Sequence, residues 1–173
     1  ADLARTLAER LTAGGCAAVI CNTVNRAIEV HDYLKDHLAD TECLLFHART
    51  LRMWRRERER QVLSKFGKEE AHKQPDGTHL NPNRPERAVL VATQVIEQSL
   101  DLDFDFMISE MAPVDLLLQR AGRMHRHHRR RKAGLEAPRL VISGDMAQSG
   151  PPPESFGRGN ESVYERYILL RTW

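Results

Sequence analysis

Little in this 173-residue sequence points to a membrane or to an oxidising compartment. No apolar run is long enough to cross a membrane, and no signal peptide is recognisable. The three cysteines, Cys16, Cys21 and Cys43, lie in or beside apolar segments and lack the paired spacing of metal ligands. We therefore predict a cytoplasmic protein with reduced, buried thiols and no membrane partner.

The sequence also lacks the glycine-rich loop with which many nucleotide-hydrolysing proteins bind phosphates. Gly67 and Lys68 are followed by Glu69 and have no upstream glycine at the spacing G-x-x-x-x-G-K-[ST]. No acidic box of the kind that holds magnesium follows a predicted strand. We therefore expect that these residues do not hydrolyse a nucleotide alone. Because the sequence begins with Ala1 rather than methionine, we also expect a piece of a longer protein.

Positive charge is concentrated in one short segment. The net charge is only +2, yet residues 120–132 contain seven of the 26 lysines and arginines and no acidic residue. The rest of the chain has 19 basic and 24 acidic residues. This distribution focuses positive potential on one region, where a phosphate group would be attracted.

Apolar segments alternate in the manner of an α/β protein. Helices are predicted near residues 3–11, 24–37 and 51–66, and strands at 17–21, 44–46, 88–93, 106–109 and 140–143. Strands separated by helices favour a parallel sheet with flanking helices. Residues 1–147 are predicted to form this domain, and the Pro- and Gly-rich residues 148–160 a linker. In residues 161–173, Ser162 and Glu165 have capping-box spacing, which predicts the start of a following helical segment.

A polar loop follows the apolar strand at 88–93. In open parallel sheets, ligands bind beyond the carboxyl ends of strands, so Thr93 and the following residues should line a crevice. Asp101, Asp103 and Asp105 alternate with apolar residues in this loop. These aspartates could lie at the start of a strand that has one solvent-exposed face, or they could form a metal site. No histidine or cysteine joins them in a ligand pattern, so we predict no metal site.

A glutamine and two arginines follow at helical spacing. Gln119, Arg123 and Arg126 are four and three residues apart, so a single helix would project them from one side. The planar guanidinium of arginine donates in parallel to phosphate oxygens and stays charged. The alternative is a solvated basic helix end.

These segments resemble known helicase motifs. ATQVIEQSLDLDFD and APVDLLLQRAGRMHRHHR resemble motifs V and VI of superfamily 2 helicases, in the form found in the CRISPR-associated nuclease-helicases of type I interference systems. VICNTVNRA resembles motif IV, and LLFHAR resembles the segment that follows it. The motifs occur in the family's order and span nearly the whole chain. The resemblance implies the second RecA-like domain of such a helicase.

The resemblance also implies roles in catalysis. Gln119 would sense the γ-phosphate of ATP, and Arg123 and Arg126 would act as arginine fingers. Asp101 would touch the nucleotide ribose and link to these arginines. ATP and Mg²⁺ would be held mainly by a preceding RecA-like domain.

The same family resemblance implies contacts with nucleic acid. Thr93, His47, Arg49, Asn22 and Thr23 would contact the phosphate backbone of single-stranded DNA. The parent protein would degrade foreign DNA with a nuclease domain located elsewhere in the chain, after recruitment by an RNA-guided surveillance complex.

Two other functions fit the sequence. The chain could be a non-catalytic nucleic-acid-binding module that uses residues 120–132 as a basic patch. It could also dock a protein partner through residues 68–85, a polar, turn-rich segment that predicts a mobile solvent loop. His125, His127 and His128 could bind a metal, but we favour a phosphate-facing or simply exposed turn that flanks the arginines.

Overall fold

Five parallel strands form the centre of the molecule. The computed structural model describes residues 2–49, 52–68, 74–78, 80–97, 100–143 and 151–173, with backbone only at 52–54. The strands are β1 (Gly15–Ile20), β2 (Glu42–Phe46), β3 (Arg87–Ala92), β4 (Phe106–Glu110) and β5 (Leu140–Ser143). They pair in the order β2-β3-β1-β4-β5, and every pair is parallel. The predicted α/β fold with a RecA-like parallel sheet is confirmed.

Helices flank this sheet and connect its strands. They are α1 (Leu3–Arg10), α2 (Val24–His37), α3 (Arg52–Phe66), α4 (Val114–Ala121), α5 (Arg158–Glu161) and α6 (Arg166–Thr172), with a short 3₁₀ helix at Gln94–Glu97. The Thr23 hydroxyl accepts a hydrogen bond from the Arg26 amide and so begins α2. None of the described helices has the length and apolar character that crossing a bilayer requires.

Apolar side chains cover both faces of the sheet. One core cluster joins β1, β3 and β4 to α1 and α2, and the other joins the opposite face to Val62 and Phe66 of α3. Strand β1 is buried along its whole length, which explains its small and apolar sequence GCAAVI. The cysteines are free thiols, and burial raises the pKa of Cys16 to about 11 and that of Cys21 to about 12.

The carboxyl-terminal residues pack on the sheet domain. Leu169 of α6 is fully buried in a small cluster with Met111, Ala112 and Leu117. The predicted helix start at Ser162 is wrong, because Ser162 ends α5 and its hydroxyl donates to the Gly159 carbonyl. Helix α6 begins only after Glu165, whose side chain makes no cap. The domain boundaries at 147 and 160 stay predictions.

Candidate functional site

The carboxyl ends of three neighbouring strands bring together the residues predicted to contact nucleic acid. Asn22 and Thr23 follow β1, His47 and Arg49 lie just after β2, and Thr93 follows β3. Strands β2, β3 and β1 are adjacent, so these residues share one edge of the sheet. Ligands bind at this edge in open parallel sheets.

Exposure divides this group in two. Thr23 and His47 are partly exposed and Arg49 is exposed, whereas Asn22 and Thr93 are buried. The His47 pKa is lowered by burial and by the positive charges of Arg58 and Arg49. His47 is therefore suited to neutral hydrogen bonding at neutral pH rather than to charge pairing with a phosphate.

The Asn22 side chain takes part in an internal network. Its amide nitrogen donates to the Met111 carbonyl at 2.7 Å and to Asn160 Oδ1 at 2.8 Å, and its oxygen accepts from Arg120 at 3.2 Å. Its backbone carbonyl accepts from Gln94. Asn22 therefore joins the strand end to α4 and to the carboxyl-terminal segment, and it lies beneath the surface that Thr23 and Arg49 present.

The prediction that one helix carries Gln119, Arg123 and Arg126 is wrong. Helix α4 ends at Ala121, so only exposed Gln119 lies on it. The Phe104 amide donates to the Arg123 carbonyl, and the His125 amide donates to the Phe104 carbonyl. His125 has a φ of 48°, outside the helical range. The backbone after α4 therefore forms hydrogen bonds with Phe104, just before β4, instead of continuing the helix.

Arg123 and Arg126 nevertheless remain close to the loop after β3. Arg123 donates to the Leu100 carbonyl at 2.7 Å and to the Glu97 carbonyl at 3.1 Å. Arg126 Nε donates to Asp101 Oδ1 at 2.6 Å. The Arg126 and Asp101 side chains are 45% and 48% exposed, so this ion pair lies at the surface. The structure therefore places Asp101 beside the second predicted arginine finger.

Arg120 was not predicted as a site residue, yet it is the largest fully buried side chain in the described part of the chain. Its Nε donates to Glu97 Oε1 at 2.7 Å, and its Nη1 donates to the Ser109 hydroxyl at 2.7 Å. It also donates to the Glu110 carbonyl, Asn22 Oδ1 and Tyr164 Oη. One arginine thus joins α4 to the ends of β1 and β4, the 3₁₀ helix and the carboxyl-terminal segment.

Asp103 and Asp105 form a buried ionic cluster with three arginines. Arg131 donates to both carboxylates at 2.6–2.9 Å, Arg129 Nε lies 2.8 Å from Asp103 Oδ2, and Arg84 Nη2 donates to Asp105 at 2.9 Å. The Cys16 amide donates to Asp105 at 2.7 Å. No group of three or more possible metal ligands occurs among the described residues. These aspartates fix the start of β4.

The loop predicted to be mobile at 68–85 is anchored at its carboxyl-terminal end. Arg84 reaches the ionic cluster and also donates to the Asp103 carbonyl at 2.8 Å. Asn81 donates to the carbonyls of Ser64 and Gly67. The described residues 74–78 and 80–85 form no helix or strand and none of them is buried, so the predicted solvent loop is confirmed there, and its mobility stays a prediction. Residues 69–73 and 79 lie outside the described part of the chain.

Asp105 should make the fold less stable in acid. Burial raises the Asp105 pKa, but the charge of Arg84 and hydrogen bonds from Arg131 and the Cys16 amide outweigh this, so the pKa lies below its ordinary value. Such a carboxyl stabilises the fold above its unfolded pKa of about 3.9. That contribution disappears as the pH falls through the lowered folded pKa. Urea denaturation should show an unfolding free energy that decreases below about pH 4.

The Asp105→Asn variant provides the comparison, because it cannot take up this proton. Its unfolding free energy should be lower near neutral pH and should change less between about pH 5 and pH 2. An equal pH dependence in the two proteins would contradict the assignment to Asp105.

A cavity of about 590 Å³ lies at the opposite edge of the sheet, near Gly15, Glu86 and Lys132. Lys132 pairs with Glu86 there, and Arg130 pairs with Asp76. The cavity lies at the amino ends of the strands, away from the edge at which Thr23, His47 and Arg49 lie. We assign it no part in the chemistry, because none of the predicted site residues lines it.

Comparison with known proteins places the chain in a family. The family model described as CRISPR-associated nuclease/helicase Cas3, C-terminal, matches residues 13–129. The chain belongs to the Cas3 nuclease/helicase family. The Escherichia coli K12 Cas3 is 41% identical over 174 residues, and the alignment covers 96% of this chain. The Thermus thermophilus Cas3 is 52% identical over 93 residues, which cover 52% of this chain.

Solved Cas3 structures share the fold. The crystal structure of T. fusca Cas3 with AMPPNP is similar to this chain with a TM-score of 0.82 and 40% identity over 98% of its length. The structure titled CRISPR RNA-guided surveillance complex, pre-nicking, contains a chain with a TM-score of 0.76 and 38% identity. This chain spans about a fifth of the length of these relatives, covering 18% of the E. coli Cas3 and 20% of the matching chain in the second structure.

Two residues of the candidate site were not predicted from the sequence. Arg120 lies three residues after buried Leu117 on the inner face of α4, and that spacing is the signal that could have identified it. His127 was predicted to lie in a phosphate-facing or exposed turn, but it is buried, whereas its neighbour His128 is exposed. Nothing in the local pattern distinguishes these two histidines.

Proposed function

We propose that this chain is the second motor domain of an ATP-dependent single-stranded DNA translocase and helicase. Its parent unwinds and helps degrade foreign DNA in the cytoplasm during type I CRISPR interference. Membership of the Cas3 family supports this function. The observation that carries the proposal is the surface ion pair of Arg126 and Asp101, with Arg123 bound just behind it. Arg126 binds Asp101 through Nε, which leaves its two terminal amino groups to donate to a ligand phosphate while the pair persists.

The side chains proposed for this site suit a nucleoside triphosphate. Arg126 offers a half-exposed guanidinium, and exposed Gln119 offers an amide from the end of α4. ATP would supply the phosphoryl group whose charge the arginines stabilise. Arg123 and Arg126 are the proposed arginine fingers, Gln119 the γ-phosphate sensor, and Asp101 the ribose contact. Most of the contacts with ATP and Mg²⁺ would come from a preceding RecA-like domain.

Single-stranded DNA would cross the carboxyl edge of β2, β3 and β1. Thr23, His47 and Arg49 form the outer part of that surface, and we propose that they contact phosphates. Asn22 and Thr93 lie below them and would shape the floor of the crevice. Contacts with the backbone rather than with bases would give little sequence preference and a marked dependence on salt.

The partners of the parent follow from its relatives. A chain in the surveillance-complex structure is similar to this one, which supports an RNA-guided complex as the recruiting partner. The nuclease named for the Cas3 relatives would lie elsewhere in the parent.

The basic-patch alternative is weakened by the pairing of its charges. Each of the seven cations in residues 120–132 has a carboxylate or carbonyl partner. The pairs are Arg120 with Glu97, Arg123 with the Leu100 carbonyl, Arg126 with Asp101, Arg129 and Arg131 with Asp103, Arg130 with Asp76, and Lys132 with Glu86. Internal pairing leaves less positive potential for nucleic acid than the sequence suggests.

Arg123→Ala in the full-length parent separates the two functions. For a motor domain, we expect DNA-stimulated ATP turnover to fall by about 100-fold or more, because one of the guanidinium groups that stabilise the transition state is lost. The affinity for single-stranded DNA should change by less than about threefold, since few phosphate contacts are lost. Steady-state ATP hydrolysis and fluorescence anisotropy measure these quantities.

The matched control removes two exposed charges from the same segment. Arg130→Ala combined with Lys132→Ala should leave both turnover and binding close to those of the natural sequence. If this double variant weakens DNA binding strongly while Arg123→Ala spares turnover, the basic-patch function replaces the motor.

A further inference from the structure

His127 connects the surface ion pair to the buried ionic cluster. Its ring is buried, with Nε2 3.0 Å from Asp101 Oδ1 and Nδ1 3.0 Å from Arg129 Nη2. The sequence predicts only that this residue flanks the arginines in a phosphate-facing or exposed turn, and the proposed function does not use it. Its two ring nitrogens nevertheless face one acidic and one basic partner.

These partners determine which ring nitrogen carries the proton. An arginine guanidinium only donates hydrogen bonds, so Nδ1 must accept the bond from Arg129 through its lone pair. The neutral ring then carries its hydrogen on Nε2 and donates it to Asp101. A ring with a hydrogen on Nδ1 would place two donors against each other at this distance. The Nε2–H tautomer is therefore the form that satisfies both neighbours.

The buried ionic cluster also holds the His127 ring in place. Arg129 Nε lies 2.8 Å from the fully buried Asp103 carboxylate, and the His127 backbone amide donates to Asp103 Oδ1 at 3.3 Å. Movement of the ring would therefore disturb the ionic cluster at the start of β4. This support gives His127 a fixed position, in contrast to the half-exposed Arg126 beside it.

We propose that His127 is a positioning residue that holds the Asp101 carboxylate and, through Asp101, the Arg126 guanidinium. This inference rests on the proposed function of Arg126 as an arginine finger. Asp101 Oδ1 accepts from both His127 and Arg126, so the histidine sets the direction from which the arginine binds. An exposed ion pair without such support is loosely held and contributes little to orientation.

Substitution of His127 in the full-length parent tests the idea. His127→Leu removes the donor and should lower the kcat of DNA-stimulated ATP hydrolysis by about 10-fold, because Arg126 is less well oriented. The KM for ATP should change by less than about twofold, since the lost interaction acts in the transition state. His127→Gln places an amide donor near the Nε2 position and should restore most of the lost kcat. His128→Leu, at the exposed neighbour, should have no effect.

A double-mutant cycle distinguishes positioning from a general loss of structure. In an Asp101→Ala background, His127→Leu should cause no further decrease in kcat, because its effect passes through the Asp101 side chain. Independent decreases that multiply, or failure of His127→Gln to recover activity, would overturn the inference.

The outcome for Arg126 separates this inference from the proposed function. If Arg126→Ala abolishes turnover while His127→Leu retains it, only the positioning role is refuted. If Arg126→Ala retains turnover, the arginine-finger function itself fails.

Discussion

Replacing Arg126 with alanine in the full-length parent should lower the kcat for ATP by about three orders of magnitude at saturating single-stranded DNA. An arginine that reaches a transferring phosphoryl group stabilises charge that develops only in the transition state. The side chain is 45% exposed and its ion partner is Asp101 at the surface, so its removal should cost the fold less than about 1 kcal/mol. The loss of turnover would then report chemistry rather than unfolding.

Two further variants sharpen the Arg126 result. Arg126→Lys keeps the charge but loses the planar fork, and it should recover little of the activity. Arg130→Ala removes an 89% exposed arginine four residues away and should leave kcat unchanged. If the turnover of Arg126→Ala stays within about threefold of that of the natural protein, Arg126 is not an arginine finger, because arginine fingers have far larger effects on turnover.

Arg120→Ala should destabilise the domain by about 3–5 kcal/mol. The guanidinium is fully buried, and its loss leaves the Glu97 carboxylate without its ion partner. The Ser109 hydroxyl and the Asn22 oxygen also lose a donor in a region that water does not reach. Urea denaturation followed by circular dichroism measures this loss.

A second substitution tests the cause of that destabilisation. Adding Glu97→Gln to Arg120→Ala removes the unpaired charge and should recover part of the lost free energy. Arg5→Ala is the control, because Arg5 is 63% exposed and pairs with Glu9 on the surface of α1. If Arg120→Ala and Arg5→Ala destabilise the chain equally, the buried network contributes nothing specific.

Periodicity was sufficient to predict the sheet because its core strands are short and strongly apolar. The predicted strand at 140–143 and the helix at 24–37 coincide with β5 and α2. Errors of one to two residues occur at the ends of the other strands, where polar residues such as Glu42 and Arg87 extend the ladder. Backbone pairing between strands determines those ends, and a single sequence does not reveal it.

The site was harder to predict than the fold because long-range pairing overrides local spacing. Arg123 and Arg126 have helical spacing, yet hydrogen bonds between Phe104 and the Arg123–His125 turn end the helix first. The alternating aspartates looked solvated or metal-binding, whereas Asp103 and Asp105 bind arginines 19 to 28 residues away in sequence. No local pattern encodes such partners.

The hydrogen bonds of Arg120 and Arg123 have a consequence for how force would pass through the motor. Arg120 holds the Glu97 side chain, and Arg123 holds the carbonyls of Glu97 and Leu100, so the end of α4 and the turn after it are tied to the segment beyond β3 at three points. In the proposed motor domain, a movement of the Arg123–His125 turn would therefore be passed on to the segment beyond β3, and these two parts of the domain would move together.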